Sequence, residues 1–527
     1  NIEKIYSDAY KKESSSQGKR YPEVTKNINY RVNNGCLAMT YFGHGGNSGW
    51  AHERILKTSD IETWTNQYAQ PIFYTACCSF AYYDQSYVSP AEKILLQTNG
   101  GGIGLIASTR NSSSGNNERL GLYLFSNMVQ KNNQGYLTMG EVYMNAQNSF
   151  GVYESYTYLG DPSVTLAHPK TNVVTDSINH TDLHDFTDTI KSLSFVNIVG
   201  HIEDESHNLT SNFNGFVYPI IFDKPLSVVT INNNNKDSIR HFESQKSVIY
   251  KGKIAVKNGK FSFSFMVPKD INYEYGLGKI SYYAYSDQSD ANGYNHLPIG
   301  GINDTSIQDD KGPDIELYLN DKQFVSGGIT TPTPTLMAKI SDENGLNTAG
   351  AGIGHNMLAI IDNDIANAIV LNDYFEYEEN SFTTGNLSYL ISELPEGHHT
   401  LKLRAWDIVN NMGETEIEFE VVNNSELNID HILNYPNPFT TNTAFYFEHN
   451  RPNQPIDIKI SIFTISGKLV KTIFDTQTTT GFRSNPIYWN GLDDYGNKIG
   501  KGVYLYKLAV KDKDSNTAEK IEKIVIL

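Results

Sequence analysis

The pattern of apolar and polar positions in the first part of the chain is typical of alternating helices and strands. In residues 22–34 apolar side chains recur at every fourth position, with proline at the start and glycine just beyond the end, which predicts a helix. The apolar runs at residues 36–41, 71–74 and 103–107 are short and bounded by turn residues, which predicts buried strands. This alternation predicts an α/β fold with a mostly parallel sheet and helices on both faces.

Two more helices are predicted from their start signals. Residues 89–92, Ser-Pro-Ala-Glu, combine a capping box with proline at the first helical position, and the helix should end at the glycines of residues 100–102. Residues 138–141, Thr-Met-Gly-Glu, carry the same capping pattern and begin the last predicted helix. Residues 120–129 are also helix-like. These helices fall between the predicted strands, as an α/β fold requires.

From about residue 175 the helical periodicity disappears, and short strands separated by polar turns follow one another. Residues 400–407 alternate cleanly in the manner of an immunoglobulin strand. The polar segment at residues 306–313, which ends in Gly-Pro, is interpreted as a linker. We therefore expect three immunoglobulin-like β-sandwich domains after the α/β portion. The expected domains are residues 1–174, 175–309, 310–424 and 425–527.

Composition narrows the class of protein. A length of 527 residues is typical of about three to five domains. The net charge of −17 and the absence of Lys/Arg runs argue against nucleic acid as a partner. The 34 tyrosines and 24 phenylalanines suit β-sandwiches with polar turns. The sequence has no apolar run long enough to span a membrane.

The cysteines and one acidic segment carry the side chains that could form a disulfide or a cation site. All three cysteines lie within the first 78 residues, so we expect no disulfide framework, and Cys36 is interpreted as a core thiol. Residues 342–345, Asp-Glu-Asn-Gly, and residues 350–355 offer oxygen ligands to a cation, but their spacing matches no calcium loop. A Gly/Asn-rich hairpin loop is the preferred interpretation there, and we expect neither a metal nor a cofactor.

The strongest functional signal is a histidine and a cysteine, each directly after a predicted strand. Residues 42–46, Phe-Gly-His-Gly-Gly, contain His44, and residues 75–78, Thr-Ala-Cys-Cys, contain Cys77. Strand-end loops of an open α/β sheet form its sites, and an imidazole beside a thiol can generate the thiolate that attacks a carbonyl. The backbone N–H groups of Gly45 and Cys77 can stabilise the resulting oxyanion. The alternative is a turn histidine and a pair of inert core cysteines.

The order of these two segments resembles the caspase-like cysteine peptidases, and its detail is similar to the gingipain family. Three further segments match that family, so the resemblance covers about residues 1–170. They are residues 89–109, residues 120–129 and residues 158–163, Tyr-Leu-Gly-Asp-Pro-Ser. The resemblance implies that Cys77 is the nucleophile, with Cys78 as the alternative, and that His44 is the general base and acid.

The caspase-like fold also has strands before the histidine strand, and only residues 1–35 precede that strand here. We therefore expect part of the sheet to lie upstream of residue 1. The acidic residue that orients the histidine in gingipains is expected there as well, so no third catalytic residue is assigned. Glu53 and Asp60 follow His44 and are interpreted as solvated loop or helix-start carboxylates.

Residues 425–527 carry a resemblance of their own. They open with residues 434–439, Asn-Tyr-Pro-Asn-Pro-Phe, and continue with an Asp-rich turn at residues 493–497 and a Gly-Val-Tyr strand at residues 502–508. This combination is similar to the C-terminal sorting domains of proteins exported by the type IX secretion system. The alternative is a generic immunoglobulin-like module, which shares these turn residues.

Together with residues 396–400, Glu-Gly-His-His-Thr, these segments resemble a surface sortase of the type IX secretion system. The resemblance implies a cell-surface, outer-membrane-associated enzyme. Its substrates would be cargo proteins with C-terminal sorting domains, and its acceptor would be anionic lipopolysaccharide. Its partners would be the outer-membrane proteins of an attachment complex. Two other interpretations stay open: a secreted gingipain-like endopeptidase exported by its own terminal domain, and a non-catalytic surface adhesin.

Overall fold

A computed structural model describes most of the chain and divides it into two compact units. The described residues are 2–15, 18–132, 135–150, 155–233, 238–303, 307–348, 354–391, 393–422 and 426–527. One unit comprises residues 1–169 and 225–245, and the other residues 170–224 and 246–527. Most of the predicted loop at residues 350–355 lies outside the described residues. Within the ranges just given, no helix has the length and apolar character needed to cross a membrane.

The first unit is built around a four-stranded sheet. Its strands are β1 (Ala38–Phe42), β2 (Ile72–Ala76), β3 (Gly104–Ser108) and β4 (Tyr156–Gly160). The spatial order is β4-β3-β2-β1. Strands β1, β2 and β3 are parallel to one another, and β4 is antiparallel to β3. The predicted mostly parallel sheet is confirmed.

Helices begin at the predicted start signals at Pro22, Pro90 and Met139, whereas the helix predicted at residues 120–129 begins earlier, at Ser114. They are α1 (Pro22–Asn33), α2 (Pro90–Leu96), α3 (Ser114–Met128) and α4 (Met139–Phe150), with single turns at Ser7–Ala9 and Thr58–Ile61. Ser89 Oγ accepts the N–H of Glu92, whose carboxylate accepts the N–H of Ser89. Thr138 and Glu141 make the same reciprocal pair before α4. Both capping boxes are therefore confirmed.

Apolar side chains cover both faces of this sheet. Helices α1 and α2 share one buried cluster with Phe73 and Leu105, whereas α3 and α4 share another with Tyr74 and Ile106. Burial on both faces explains why the parallel strands are almost continuously apolar. Cys36, expected in the core, is only partly buried and lies just before β1.

Short hairpins complete the first unit. Gly45–Gly46 pairs with Gly49–Trp50, which pairs with Leu56–Lys57. Further pairs are Glu13–Ser15 with Gly18–Arg20, Lys131–Asn132 with Gly135–Tyr136, and Leu226–Val229 with His241–Ser244.

The second unit begins with a ten-stranded sheet. Its strands are Thr171–Ile178, Thr181–Asp182, Ile190–Ser192, Phe195–Glu203, Gly215–Phe222, Val248–Lys251, Ile254–Val256, Lys260–Met266, Gly276–Ser286 and Asp290–Ile302. The boundary expected at residue 175 falls inside the first of these strands. Residues 225–245 interrupt the segment 175–309 and belong to the first unit, so that segment is not one continuous body.

Two pairs of sheets follow. The first pair contains Asp314–Leu319, Thr335–Ser341, Thr384–Leu390 and Phe375–Tyr377 in one sheet, and Ile329–Thr330, Met412–Val421, Gly397–Trp406, Leu358–Ile361 and Ile369–Val370 in the other. The second pair contains Ile429–Tyr435, Thr443–His449 and Ile487–Trp489, and then Leu469–Gln477, Ile456–Thr464, Gly502–Asp512 and Thr517–Ile526. The two sheets of this second pair share one apolar core.

Candidate active site

The parallel pairing of β1 with β2 brings the histidine and cysteine loops to one edge of the sheet. Phe42 and Ala76 are register partners, and the N–H of Gly43 donates to the carbonyl of Ala76 at 3.3 Å. His44 follows β1 by two residues, and Cys77 follows β2 directly. The two predicted site residues therefore lie on neighbouring loops at the carboxyl ends of parallel strands, where α/β sheets form their sites.

Cys77 is buried beneath the histidine loop. It is 1% exposed, and its Sγ and Cβ atoms lie so close to Gly45 that any side chain at position 45 would overlap them. Burial is the largest cause of a strongly raised pKa of the Cys77 thiol, and the neighbouring Cys78 raises it further. In this conformation the thiol is therefore protonated at neutral pH.

His44 is exposed, and its loop is fixed through its backbone. The His44 carbonyl accepts the Tyr41 hydroxyl at 2.6 Å and the N–H of Ala51 at 2.7 Å. The Tyr41 ring stacks on Trp50 with centroids 4.5 Å apart, and the His44 ring lies 5.7 Å from the ring of His52. Among the described residues, no hydrogen bond joins the His44 imidazole to a cysteine thiol. The two loops are thus adjacent, without a hydrogen bond between the imidazole and the Cys77 thiol in this conformation.

Cys78, the alternative nucleophile, has different surroundings. Its partly buried Sγ accepts the N–H of Ser112 at 3.5 Å, and its S–H faces the Ser112 carbonyl at 3.7 Å. These contacts attach Cys78 to the loop after β3, whereas Cys77 packs against the histidine loop through Gly45. The geometry therefore distinguishes the two adjacent thiols.

The two acidic residues that follow His44 have partners of their own. Glu53 forms an ion pair with Lys12 at 2.9 Å. Asp60 accepts the N–H of Lys57 at 2.7 Å at the start of the short helix Thr58–Ile61, as expected for a helix-start carboxylate. The partners of both carboxylates in these contacts are groups other than the His44 imidazole.

Two residues near the site carry no recognisable motif and were missed by sequence reasoning. Tyr41 lies in the apolar run at residues 36–41, and that pattern indicates only a strand residue. Asn117, in the first turn of α3, donates its side-chain N–H to the carbonyl of Ala76 at 3.2 Å. A single asparagine in a helix gives no sequence signal for a contact with a strand so distant along the chain.

A group of carboxylates in the second unit includes one residue of the predicted hairpin loop. Carboxylate oxygens of Asp309, Asp342 and Asp407 all lie within 4.8 Å of one another. Burial, followed by the charges of Asp407 and Asp309, raises the pKa of Asp342 to about 6. The Asp342 side chain also accepts the N–H groups of Asn344 and Gly345, which forms the tight turn expected of this sequence.

Comparison with known proteins gives one family match. Residues 1–167 match peptidase family C25. No curated protein matches the chain.

Solved structures similar to this chain include two proteins of Porphyromonas gingivalis. Dimeric latent PorU is 30% identical, with 74% of this chain and 38% of that chain covered and a TM-score of 0.32. The complex of the RgpB pro- and mature domains is 17% identical, with 52% and 57% covered and a TM-score of 0.26. The Arg-specific cysteine proteinase gingipain R is 16% identical, with 53% and 56% covered and a TM-score of 0.26. The chain spans less than two thirds of the length of each of these proteins. The family match over residues 1–167, which contain the His44 and Cys77 loops, confirms the resemblance to the gingipain family read from the sequence.

Proposed function

We propose that this chain is a cell-surface cysteine peptidase that acts as a sortase. In this proposal it removes the C-terminal sorting domains of type IX secretion cargo and links the new cargo C-terminus to anionic lipopolysaccharide. The observation that carries the proposal is the packing of Cys77 against Gly45 of the histidine loop, at the carboxyl edge of a parallel sheet in a family C25 domain. The three immunoglobulin-like modules expected after that domain are part of the same proposal.

The proposed chemistry uses one covalent intermediate. The Cys77 sulfur attacks the scissile carbonyl carbon, the C–N bond breaks, and His44 passes the thiol proton to the departing amine. The resulting thioester is then attacked by an acceptor whose proton moves through His44 back to the sulfur. Water as acceptor gives hydrolysis, and a sugar-borne amine gives transpeptidation. Backbone N–H groups of Gly45 and Cys77 stabilise the tetrahedral oxyanion.

This scheme requires the loop that carries Gly45 to move. Cys77 is 1% exposed, so a substrate carbonyl reaches its sulfur only after the loop that carries Gly45 shifts away. Once the loop shifts, the thiol regains solvent, and the burial that raises its pKa is reduced. Loop opening and thiol activation are thus linked in the proposed mechanism.

The C-terminal module supports the sortase interpretation over that of an exported peptidase. Glu448, which is 6% exposed, accepts the backbone N–H of Ile329 at 2.9 Å and contacts His431 Nδ1 at 3.0 Å. A buried carboxylate therefore joins the module to the strand Ile329–Thr330 of the preceding pair of sheets. Removing a partner of such a buried charge is costly, so the module is suited to remain attached as a docking element for surface-complex partners.

Mass spectrometry of cargo C-termini, in cells with and without the gene, tests the proposal. We expect sugar-linked C-termini in the presence of the gene and unprocessed cargo in its absence. Processed cargo with free C-terminal carboxylates would favour a secreted endopeptidase, and unchanged cargo would favour a non-catalytic adhesin. The intact mass of the surface protein should include residues 426–527; a product ending near residue 425 would also favour the secreted peptidase.

A further inference from the structure

A buried polar network surrounds the carbonyl group that immediately precedes Cys77. The Ala76 carbonyl accepts the N–H of Gly43 at 3.3 Å and the side-chain N–H of Asn117 at 3.2 Å. The Asn117 side-chain oxygen accepts the Tyr156 hydroxyl at 2.6 Å, and its backbone carbonyl accepts the Tyr74 hydroxyl at 2.6 Å. Asn117, Tyr74 and Tyr156 are 7%, 2% and 5% exposed. The network therefore joins β1, β2, α3 and β4 at a single peptide group.

The orientation of the Asn117 amide is fixed by its partners. The Ala76 carbonyl can only accept a hydrogen bond, so the amide nitrogen must face it. The amide oxygen then faces the Tyr156 hydroxyl, which donates. Burial, the largest cause, raises the pKa of Tyr156 to about 12, so this hydroxyl remains a donor at every physiological pH. A buried, fully satisfied network of this kind holds its groups rigidly.

The held carbonyl belongs to the same peptide group as the N–H of Cys77. Because a peptide group is planar, two donors on the Ala76 oxygen also fix the direction of the Cys77 N–H. The same two hydrogen bonds also restrict the position of the Cys77 backbone, and therefore the position of its Sγ atom. Displacements of about 1 Å at reacting groups can lower a rate by about 100-fold.

We propose that Asn117 is a positioning residue that aligns the Cys77 thiol and the Cys77 N–H for acyl transfer. Asn117 acts through the Ala76–Cys77 peptide group and does not touch the substrate. The inference rests on the proposed function, since it gives Asn117 a role in the reaction assigned to Cys77.

Asn117→Asp tests the inference with little change of shape. Above the pKa of the introduced carboxyl group, the ionised carboxylate cannot donate to the Ala76 carbonyl, so the peptide group loses one of its two donors at the alkaline pH used for the assay. Asn127→Asp is the matched control, because Asn127 lies on the same helix, is also 7% exposed, and donates to the Tyr123 carbonyl at 2.8 Å instead. Tyr156→Phe is a second variant, which keeps the Asn117 amide but removes the bond that orients it.

The measurements use the full chain, a type IX cargo protein with its sorting domain, and iodoacetamide as a probe of the Cys77 thiol. We expect Asn117→Asp to lower kcat for cargo cleavage by about 100-fold with KM changed less than about twofold. Tyr156→Phe should also lower kcat, but by a smaller factor, and Asn127→Asp should have the wild-type kcat. Asn117→Asp should also change the rate of Cys77 alkylation, which Asn127→Asp should leave unaltered.

Two outcomes overturn the inference. The first is that folded Asn117→Asp and Asn127→Asp proteins have the same kcat. The second applies if Asn117→Asp does not fold, and it is a Tyr156→Phe protein with the wild-type kcat. The failure of the proposed function is distinct, because it would appear as retained cargo cleavage in Cys77→Ala.

Discussion

Gly45 and Gly46 offer a direct test of the packing that defines the candidate site. The two glycines are adjacent, and neither has a positive φ, so alanine is not excluded from either position by backbone strain. A methyl group at position 45 would overlap Cys77 Sγ and Cβ and crowd the carbonyl of Gly49. At position 46 it would meet no atom within 4 Å. The pair therefore isolates the contact between the histidine loop and Cys77.

We expect Gly45→Ala to lower the free energy of unfolding of the first unit by about 1–3 kcal/mol, the usual cost of overpacking a buried site. Gly46→Ala should change it by less than about 0.5 kcal/mol, because the added methyl group at this partly buried position meets open space. Because the added methyl group also displaces Gly45 and Cys77, whose backbone N–H groups are proposed to bind the oxyanion, Gly45→Ala should abolish cargo cleavage, whereas Gly46→Ala should retain it.

Urea unfolding followed by tryptophan fluorescence is a suitable assay, since Trp50 and Trp64 are buried in the first unit. Cargo cleavage is measured on the same two proteins under native conditions. Equal stability and equal cleavage in both variants would refute the packing of Cys77 against Gly45. The histidine loop and Cys77 would then not be in contact in solution.

Two further predictions concern the His44 imidazole and the partly buried Asp342 carboxyl group. His44→Ala should slow iodoacetamide labelling of Cys77 at pH 7, because the thiol loses its base. His52→Ala alters a neighbouring exposed ring and should leave the labelling rate unchanged. Equal labelling rates in the wild type and both variants would remove His44 from the mechanism. The pKa of Asp342 is raised to about 6 in the folded protein, so its contribution to stability is complete below its unfolded value of about 3.9 and is lost as pH rises through about 6. Asp342→Asn should therefore raise Tm relative to the wild type more at pH 8 than at pH 4 in buffer with EDTA, and a pH-independent difference would contradict the assigned burial.

Local signals predicted the helices and strands of the first unit well, because each depends on neighbouring residues. Proline at the first helical position and the Ser89–Glu92 capping box mark the start of α2, and short apolar runs mark β1 to β3. The sheet edge followed from the same reasoning, since parallel strands place their carboxyl ends together. His44 and Cys77 were therefore assigned to neighbouring loops from the sequence.

Contacts between distant segments were not predictable in the same way. Neither the burial of Cys77 under Gly45 nor the bond from Asn117 to Ala76 is encoded by a local pattern, because each depends on how loops and helices pack in three dimensions. The hairpin of Leu226–Val229 and His241–Ser244 belongs to the first unit, and this assignment also depends on packing between distant segments. Alternating strands in a long β-rich segment indicate that a sheet forms, but not which compact unit each strand joins.

The central claim is that Cys77, rather than the adjacent Cys78, forms the thioester with cargo. Cys77→Ala and Cys78→Ala should be compared for cargo processing in otherwise identical cells, with the surface abundance of each protein measured as a control. The account predicts complete loss of processed cargo with Cys77→Ala, because the covalent route is removed. Cys78→Ala should retain much of the processing, since the hydrogen bonds of its thiol in the described structure go to the Ser112 backbone and not to the histidine loop. An active Cys77→Ala protein together with an inactive Cys78→Ala protein would contradict the account.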